Sequence, residues 1–303
     1  MERTNWEASF EASRGHLWAL AYRMMGTAAD AEDLVQAAYL RALEKPPPRG
    51  GDARGWLVRV TMNLARDELR RRQHRAYAGP WLPAPIATPE HDPPEAETRT
   101  SETRYAMAES LTFAFLLALE ALSPQARAVL LLRDVFDYSG REAANVLELS
   151  EANVKTTLHR ARKAMAAYDR RRPPRADETV QPLLERFLAA LMGGDLEEVV
   201  RLLAEDAEAH TDGGGAFHAA RNVVLGGERV AKFFLGILRR RQRIDDMRLL
   251  RINGMVSLVI EAAEDDPLLA PRFVTAIDPT PDGERIARIY VSMAPDKLNG
   301  LQT

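Results

Sequence analysis

The chain has 303 residues, 46% hydrophobic and 28% charged, with a net charge of −3. That is the balance of a soluble globular protein with room for two or three domains. No apolar run approaches the roughly 18–20 residues that cross a bilayer, and the start of the chain lacks the pattern of a secretory signal. The absence of cysteine excludes disulfides, thiolate nucleophiles and thiolate metal sites, and a reducing cytoplasm is the expected setting. The charge is uneven. Residues 1–175 carry 26 Lys+Arg against 23 Asp+Glu, and residues 176–303 carry 15 against 21. A basic half joined to an acidic half points to a part that meets a polyanion and a part with another task, although solvated charged faces give the same balance.

Residues 6–75 read as helices broken once, at "KPPPRGGDARG" (45–55), where prolines and glycines forbid continuity. In "YRMMGTAADAEDLVQAAYLRAL" (22–43), Leu34, Val35, Ala38 and Tyr39 fall on an inward face. Asp30, Glu32, Asp33 and Gln36 stay on the surface, where the carboxylates also suit the positive end of a helix. In "RGWLVRVTMNLARDELRRR" (54–72), Leu57, Val60 and Leu64 form the expected apolar face. The opposite face is polar and largely cationic: Trp56, Asn63, Arg66, Asp67, Arg70, Arg71 and Arg72. Trp56 suits a core anchor more readily than a platform for a base.

"GPWLPAPIATPEHDPPEAET" (79–98) holds six prolines and reads as an extended linker. Helices resume over 104–168, with Ser123 as an N-cap and Pro124 in the first helical position. "DYSGREAANVLELS" (137–150) and "SEANVKTTLHRARKAM" (150–165) form a helix–turn–helix, with Glu148 where a turn glycine is common. Its second helix buries the narrow stripe Val154, Leu158, Ala161 and Met165. That leaves Lys155, Arg160, Arg162 and Lys163 for phosphates and Asn153, Thr156 and His159 for base edges. A charged outer face on an ordinary helix pair is the plainer alternative. "RRRPPR" (170–175) closes this region.

From about residue 177 the pattern changes to α+β. Helical stretches "VQPLLERFLAALMGG", "DLEEVVRLLAED" and "GGERVAKFFLGILRRR" mix with strand-like runs "EAHTD", "GAFHAARNV", "DMRLLRI", "MVSLVIEAA", "RFVTAID" and "RIARIYVSM", expected to form an antiparallel sheet. His210, Asp212 and His218 are the acid–base candidates here. In "HTDGGGAFH" the glycines favour a turn that Asp212 starts over a catalytic Asp212.

The segment "LSPQARAVLLLRDVFDYSGREAANVLELSEANVKTTLHRARKAM" (122–165) resembles region 4 of the extracytoplasmic-function (ECF) sigma factors, and residues 22–43 and 54–72 resemble their regions 2.1–2.2 and 2.3–2.4. The resemblance covers residues 6–168. It implies a non-enzymatic promoter-specificity subunit whose partners are core RNA polymerase, through its β′ coiled coil and β subunit, and promoter DNA. Asp30, Glu32, Asp33 and Gln36 would dock on β′. Trp56, Asn63, Arg66 and Arg70–Arg72 would read the −10 element as it opens, with a flipped base near Asn63. Asn153, Lys155, Thr156, His159, Arg160, Arg162 and Lys163 would read the −35 element.

The C-terminal part resembles the SnoaL-like α+β cones. More narrowly, the chain resembles a SigJ-like ECF subfamily with such a domain fused. "WLPAP" (81–85) resembles its Trp-Leu-Pro-Glu-Pro signature, with Ala84 for Glu. "DGGG" (212–215) resembles its Asp-Gly-Gly-Gly signature, with Ala216 where Lys is usual. "APDKL" (294–298) resembles its Asn-Pro-Asp-Lys-Leu signature, with Ala294 for Asn. The expected architecture is therefore an all-α region 2 bundle (1–78), a proline-rich linker (79–103), an all-α region 4 helix–turn–helix (104–172) and a SnoaL-like regulatory domain (177–303). Trp81, with Leu82, Pro83 and Pro85, is expected to dock near Asp212, Gly213, Gly214 and Gly215, and Pro295, Asp296, Lys297 and Leu298 belong to the same regulatory set. No catalytic residue, metal, cofactor or membrane contact is expected, and a ligand of the cone stays unidentified. The alternatives are a ligand-sensing helix–turn–helix regulator that works without polymerase and a SnoaL-type enzyme fused to a sigma part.

Overall fold

The structure, a computed structural model, describes residues 4–48, 51–72, 77, 79–88, 105–171, 177–239, 244–263 and 266–301. The linker beyond residue 88 and the basic residues 172–175 lie outside these. The chain forms two compact units, one of residues 1–75, 92–111 and 115–167, the other of residues 76–91, 112–114 and 168–303.

In the first unit, α1 (Thr4–Met25), α2 (Ala28–Glu44) and α3 (Ala53–Arg72) pack on one another. α2 starts where the Thr27 hydroxyl accepts the Asp30 N–H at 3.2 Å. Tyr39 packs tilted against Trp6 and Phe10 with ring centres 5.6 and 4.9 Å apart, pinning α2 to α1. The buried face of α3 is not Leu57–Val60–Leu64. It is Leu57, Val58, Thr61, Met62 and Ala65, with Val60 and Leu64 half-buried. The reason is that α3 is covered from two directions, by α1 and α2 and by α5 and α6.

α4 (Phe113–Leu119), α5 (Pro124–Leu130), α6 (Gly140–Leu147), α7 (Glu151–Ala164) and α8 (Ala166–Arg170) follow. Ser123 caps α5 and Pro124 opens it, as the sequence predicts. Ser139 and Glu142 form a reciprocal capping box on α6. Glu148 adopts φ 57°, the left-handed conformation that favours glycine, and so makes the turn itself. Ser150 caps α7, whose Val154, Leu158 and Ala161 are buried, as is Met165 just beyond it.

Two buried arginines join the halves of this unit. Arg127, 4% exposed, donates to Met24 O at 2.7 Å, Leu119 O at 2.9 Å and Glu120 Oε1 at 2.7 Å. Arg23 donates to Ser110 Oγ at 2.7 Å and to the carbonyls of Ala19 and Met107, each at 3.0 Å.

The second unit is built on a six-stranded sheet in the order β2-β1-β6-β5-β4-β3. Its strands are β1 (Leu203–Asp212), β2 (Val224–Leu225), β3 (Ile244–Ile252), β4 (Met255–Ala262), β5 (Arg272–Pro279) and β6 (Ile286–Ser292). α9 (Asp177–Gly193), α10 (Leu196–Leu202) and α11 (Gly227–Leu238) pack with its inner face, and α12 (Pro295–Leu298) follows β6. The sheet is mixed rather than antiparallel, because the first strand lies parallel to the last at its centre. The helical stretch "DLEEVVRLLAED" stops at Leu202, since Leu203 already pairs with Ile286 in the sheet. "GAFHAARNV" is not a strand. Gly213 O accepts the amides of Ala216 and Phe217, which turns the chain, and only Val224–Leu225 pairs with β1.

Replacing Arg127 with Met strips two buried carbonyls, Met24 O and Leu119 O, of a charged donor and leaves the half-exposed Glu120 carboxylate without it. Urea unfolding of Arg127→Met is expected to show a loss of about 2–3 kcal/mol.

Candidate nucleic-acid interface and linker clamp

On α7, Asn153, Lys155, Thr156, His159, Arg160 and Lys163 are exposed along the side opposite the buried stripe. Thr157 Oγ1 donates to Asn153 Oδ1 at 3.0 Å and orients that amide. Arg162 departs from the expected set. Its Nε and Nη2 donate to the carboxylate of Asp134 at 2.8 and 2.6 Å, and Asp134 is buried. A buried carboxylate needs its cation, so Arg162 serves the fold.

On α3 the cations are largely engaged. Arg70 pairs with Asp67 at 2.9 Å and Arg71 with Glu68 at 3.3 Å. Arg72 grips both carboxylate oxygens of Asp30 and also reaches Glu68 at 3.2 Å. The hydrogen bonds that Arg72 donates to Asp30 hold its pKa up. Asp30 and Arg72, expected on different surfaces, thus neutralise each other, and Asp30 occupies the first-turn position that its carboxylate suits. Arg66 Nη1 donates to Asn63 Oδ1 and to Leu147 O, each at 3.2 Å. Burial, then Arg70, lowers the Arg66 pKa. The Asn63–Arg66 centre is therefore closed by the C-terminal end of α6. Trp56 is neither a core anchor nor free: it is half-buried and lines an open cleft of about 710 Å³ with His16, Arg59, Tyr138 and Asn145.

On α2, Asp33 and Gln36 are exposed, and Glu32 accepts from Arg14 at 2.5 Å. Leu40 and Leu43, 58% and 44% exposed, extend this stripe.

In the second unit, Tyr77 and residues 79–88 are held on the cone at two places. Asp212 and Lys297, both buried, meet at 2.6 Å. Asp212 Oδ2 also accepts the Leu82 N–H at 2.8 Å, and Lys297 Nζ donates to Leu82 O at 2.6 Å, so one ion pair grips both faces of one peptide residue. Asp212 Oδ1 accepts from Tyr77 Oη at 2.7 Å and from Gly214 N at 3.0 Å. The ammonium lies 4.7 Å from the Tyr77 ring centre and 4.8 Å from that of Trp81. Burial and the Asp212 carboxylate push the Tyr77 hydroxyl pKa far up, so it stays a donor. Leu82, Pro83, Ala84 and Pro85 are buried, while Pro295 and Asp296 are exposed. Gly214, at φ 60°, lies so close to Ala294 that an added Cβ would come within 2.8 Å of the Ala294 Cβ. The second hold is at Asn253, whose Oδ1 accepts from Ile86 N and whose N–H reaches Ile86 O, both at 2.9 Å. Thr88 N donates to Arg251 O at 2.9 Å.

The acid–base candidates do not share a pocket. Strand alternation puts Ala209 and Thr211 on the inner face of β1, and Glu208, His210 and Asp212 on the outer one. His210 contacts Glu208 at 3.1 Å there, beside the buried pair Tyr290 Oη–Asp278 Oδ2 at 2.6 Å. Burial raises the Asp278 pKa, against the Tyr290 bond and Arg288. His218 is exposed on the loop after the glycines.

Residues 10–75 match the family described as Sigma-70 region 2, and residues 112–165 match Sigma-70, region 4. The ECF RNA polymerase sigma factor SigJ of Mycobacterium tuberculosis is 35% identical over 97% of this chain and 93% of its own length. The chain belongs to the ECF sigma factors. A crystal structure of Mycobacterium tuberculosis SigJ superposes with a TM-score of 0.73 at 31% identity, covering 97% of this chain and 98% of that one. The sigma factor SigG of the same species is 33% identical over 68% of this chain and 60% of its own length. This sigma factor therefore pairs region 2 and region 4 helical parts with a cone of the kind seen in its SigJ relative.

Leu40, Leu43 and Asn253 were not among the residues expected to function. The leucines are legible as apolar positions out of phase with Leu34, Val35 and Ala38. Asn253-Gly254 is a hairpin signal, but its grip on Ile86 is not readable from pattern.

Lys155→Ala and Lys163→Ala are each expected to weaken holoenzyme binding at every promoter sequence and to reduce the salt slope by about one. Arg162→Ala is instead expected to lower the melting temperature of the free chain and leave that slope unchanged.

Proposed function

We propose that this sigma factor joins core RNA polymerase, directs it to promoters, and is restrained by its own C-terminal cone through the clamp on Leu82. The exposed α2 stripe Glu32, Asp33, Gln36, Leu40 and Leu43 has acids at one end and leucines at the other, which suits docking along the β′ coiled coil. The free face of α7 reads the −35 element. Asn63, Arg66, Arg70 and Arg71 serve the −10 element once α3 parts from α6.

The observation that carries the restraint is the buried Asp212–Lys297 pair on Leu82. It holds the chain that joins the two DNA-reading regions, and so limits how far they separate. Region 2 and region 4 must span two promoter elements at once, so anchoring the chain between them on the cone favours the closed arrangement of α3 and α6. Among the described residues, no side chain lining the inner cavity is titratable, which favours regulation over an enzyme reading.

Run-off transcription with core polymerase tests this. Asp212→Asn and Lys297→Ala, each in the full chain, are expected to raise promoter-dependent transcript yield several-fold at limiting sigma factor. Unchanged yield marks the cone as a passenger, and abolished yield shows that the clamp supports initiation rather than restraining it.

A further inference from the structure

The cone encloses a cavity of about 90 Å³ between α9, α11 and the inner sheet face. Phe187, Phe233, Phe234 and Phe273 supply much of its wall, and the polar atoms facing it belong to Thr211 and Thr275. Thr211 Oγ1 already accepts the Ala220 N–H at 2.9 Å. Thr275 is half-buried on β5. A space with so few polar groups does not hold water well; apolar cavities of about 150 Å³ stay dry and take small hydrocarbons. A charged ligand would lose its hydration here, and none of the described residues lining the cavity carries a counter-charge to replace it. A short uncharged chain with one terminal hydroxyl loses little, since the Thr hydroxyls can meet that group.

The cavity wall and the linker clamp are built from the same strand ends. Thr211 lines the cavity, and the next residue, Asp212, faces the other way and holds Leu82. Met293 lines the cavity, donates its N–H to Asp212 O at 2.8 Å, and leads directly into α12, which carries Lys297. Thr211 is paired with Val291, a further cavity residue, across β1 and β6. An occupant that presses on Thr211 and Met293 thereby moves both members of the ion pair, whose 2.6 Å separation tolerates little displacement.

We propose that this cavity binds a small, uncharged, apolar molecule or alkyl chain, and that its occupancy is coupled to the grip of Asp212 and Lys297 on the linker. The site stands on the cavity and the shared strand ends. Only its consequence for transcription rests on the restraint described above. Linkage makes the coupling reciprocal: loosening the clamp changes affinity for the occupant by the factor with which the occupant loosens the clamp.

A series of straight-chain 1-alkanols from methanol to octanol, titrated calorimetrically into the full chain, tests the site. Butylammonium and butyrate serve as charged controls. Affinity is expected to rise about fourfold per added methylene, to peak at an intermediate length set by the cavity, and to be absent for the charged controls. Thr275→Leu, which fills the space, is expected to abolish binding, and Thr275→Val to keep the length dependence while weakening the preference for the hydroxyl. Hydrogen exchange at the Leu82 amide is expected to quicken on saturation, and Lys297→Ala to shift alkanol affinity about fivefold. No saturable binding, or a monotonic rise with chain length that Thr275→Leu leaves intact, overturns the site. Binding with unchanged Leu82 exchange in the unsubstituted protein overturns the coupling. If exchange quickens but transcript yield with alkanol does not change, the regulatory reading fails and the coupled site survives.

Discussion

One buried ion pair organises the second unit. Asp212 and Lys297 would be costly to bury alone, since each charge leaves water. Here nearly every bonding position is used: the carboxylate accepts from the Lys297 ammonium, the Leu82 and Gly214 amides and the Tyr77 hydroxyl, and the ammonium faces two aromatic rings and the Leu82 carbonyl. Removing either partner strands the other. The arrangement also depends on Gly214, because a side chain there would collide with Ala294 and force α12 away. Linker, glycine turn and terminal helix, far apart in sequence, are one interaction in space.

The two helices of the first unit that are proposed to meet DNA stand differently. α7 presents its polar side openly, whereas Asn63 and Arg66 on α3 are closed by Leu147 O. In the proposed function a duplex −35 element needs no change of shape in α7, whereas bringing a −10 element to Asn63 and Arg66 needs α3 to give up its contacts with α6, the step on which the proposed tether acts.

The helical architecture and the order of the parts were legible because capping residues, breakers and hydrophobic spacing act locally. Ser123-Pro124, Ser150 and the Val154–Leu158–Ala161–Met165 stripe behave as their spacing requires. Failures came where partners are remote. Arg162 read as a phosphate ligand because its spacing carries no record of Asp134, 28 positions away. Arg72 and Asp30 read as belonging to two surfaces for the same reason. Val60 and Leu64 were placed inward by a one-sided helix pattern, while α3 is covered from two sides. In the cone, the parallel pairing of β1 with β6 joins the first and last strands, which no local period encodes. The motifs around Trp81, Asp212 and Lys297 were visible as motifs, but the grip on both sides of Leu82 is a tertiary fact.

The chain lacks cysteine, so paired labels can be introduced without removing native thiols. Arg70→Cys on α3 and Lys163→Cys on α7, spin-labelled in the full chain, report the separation of these two helices by pulsed dipolar spectroscopy. With the clamp intact, a single narrow distance distribution is expected; with Asp212→Asn added, a broad one extending to longer separations. An identical narrow distribution in both proteins would contradict the claim that the linker clamp sets that separation.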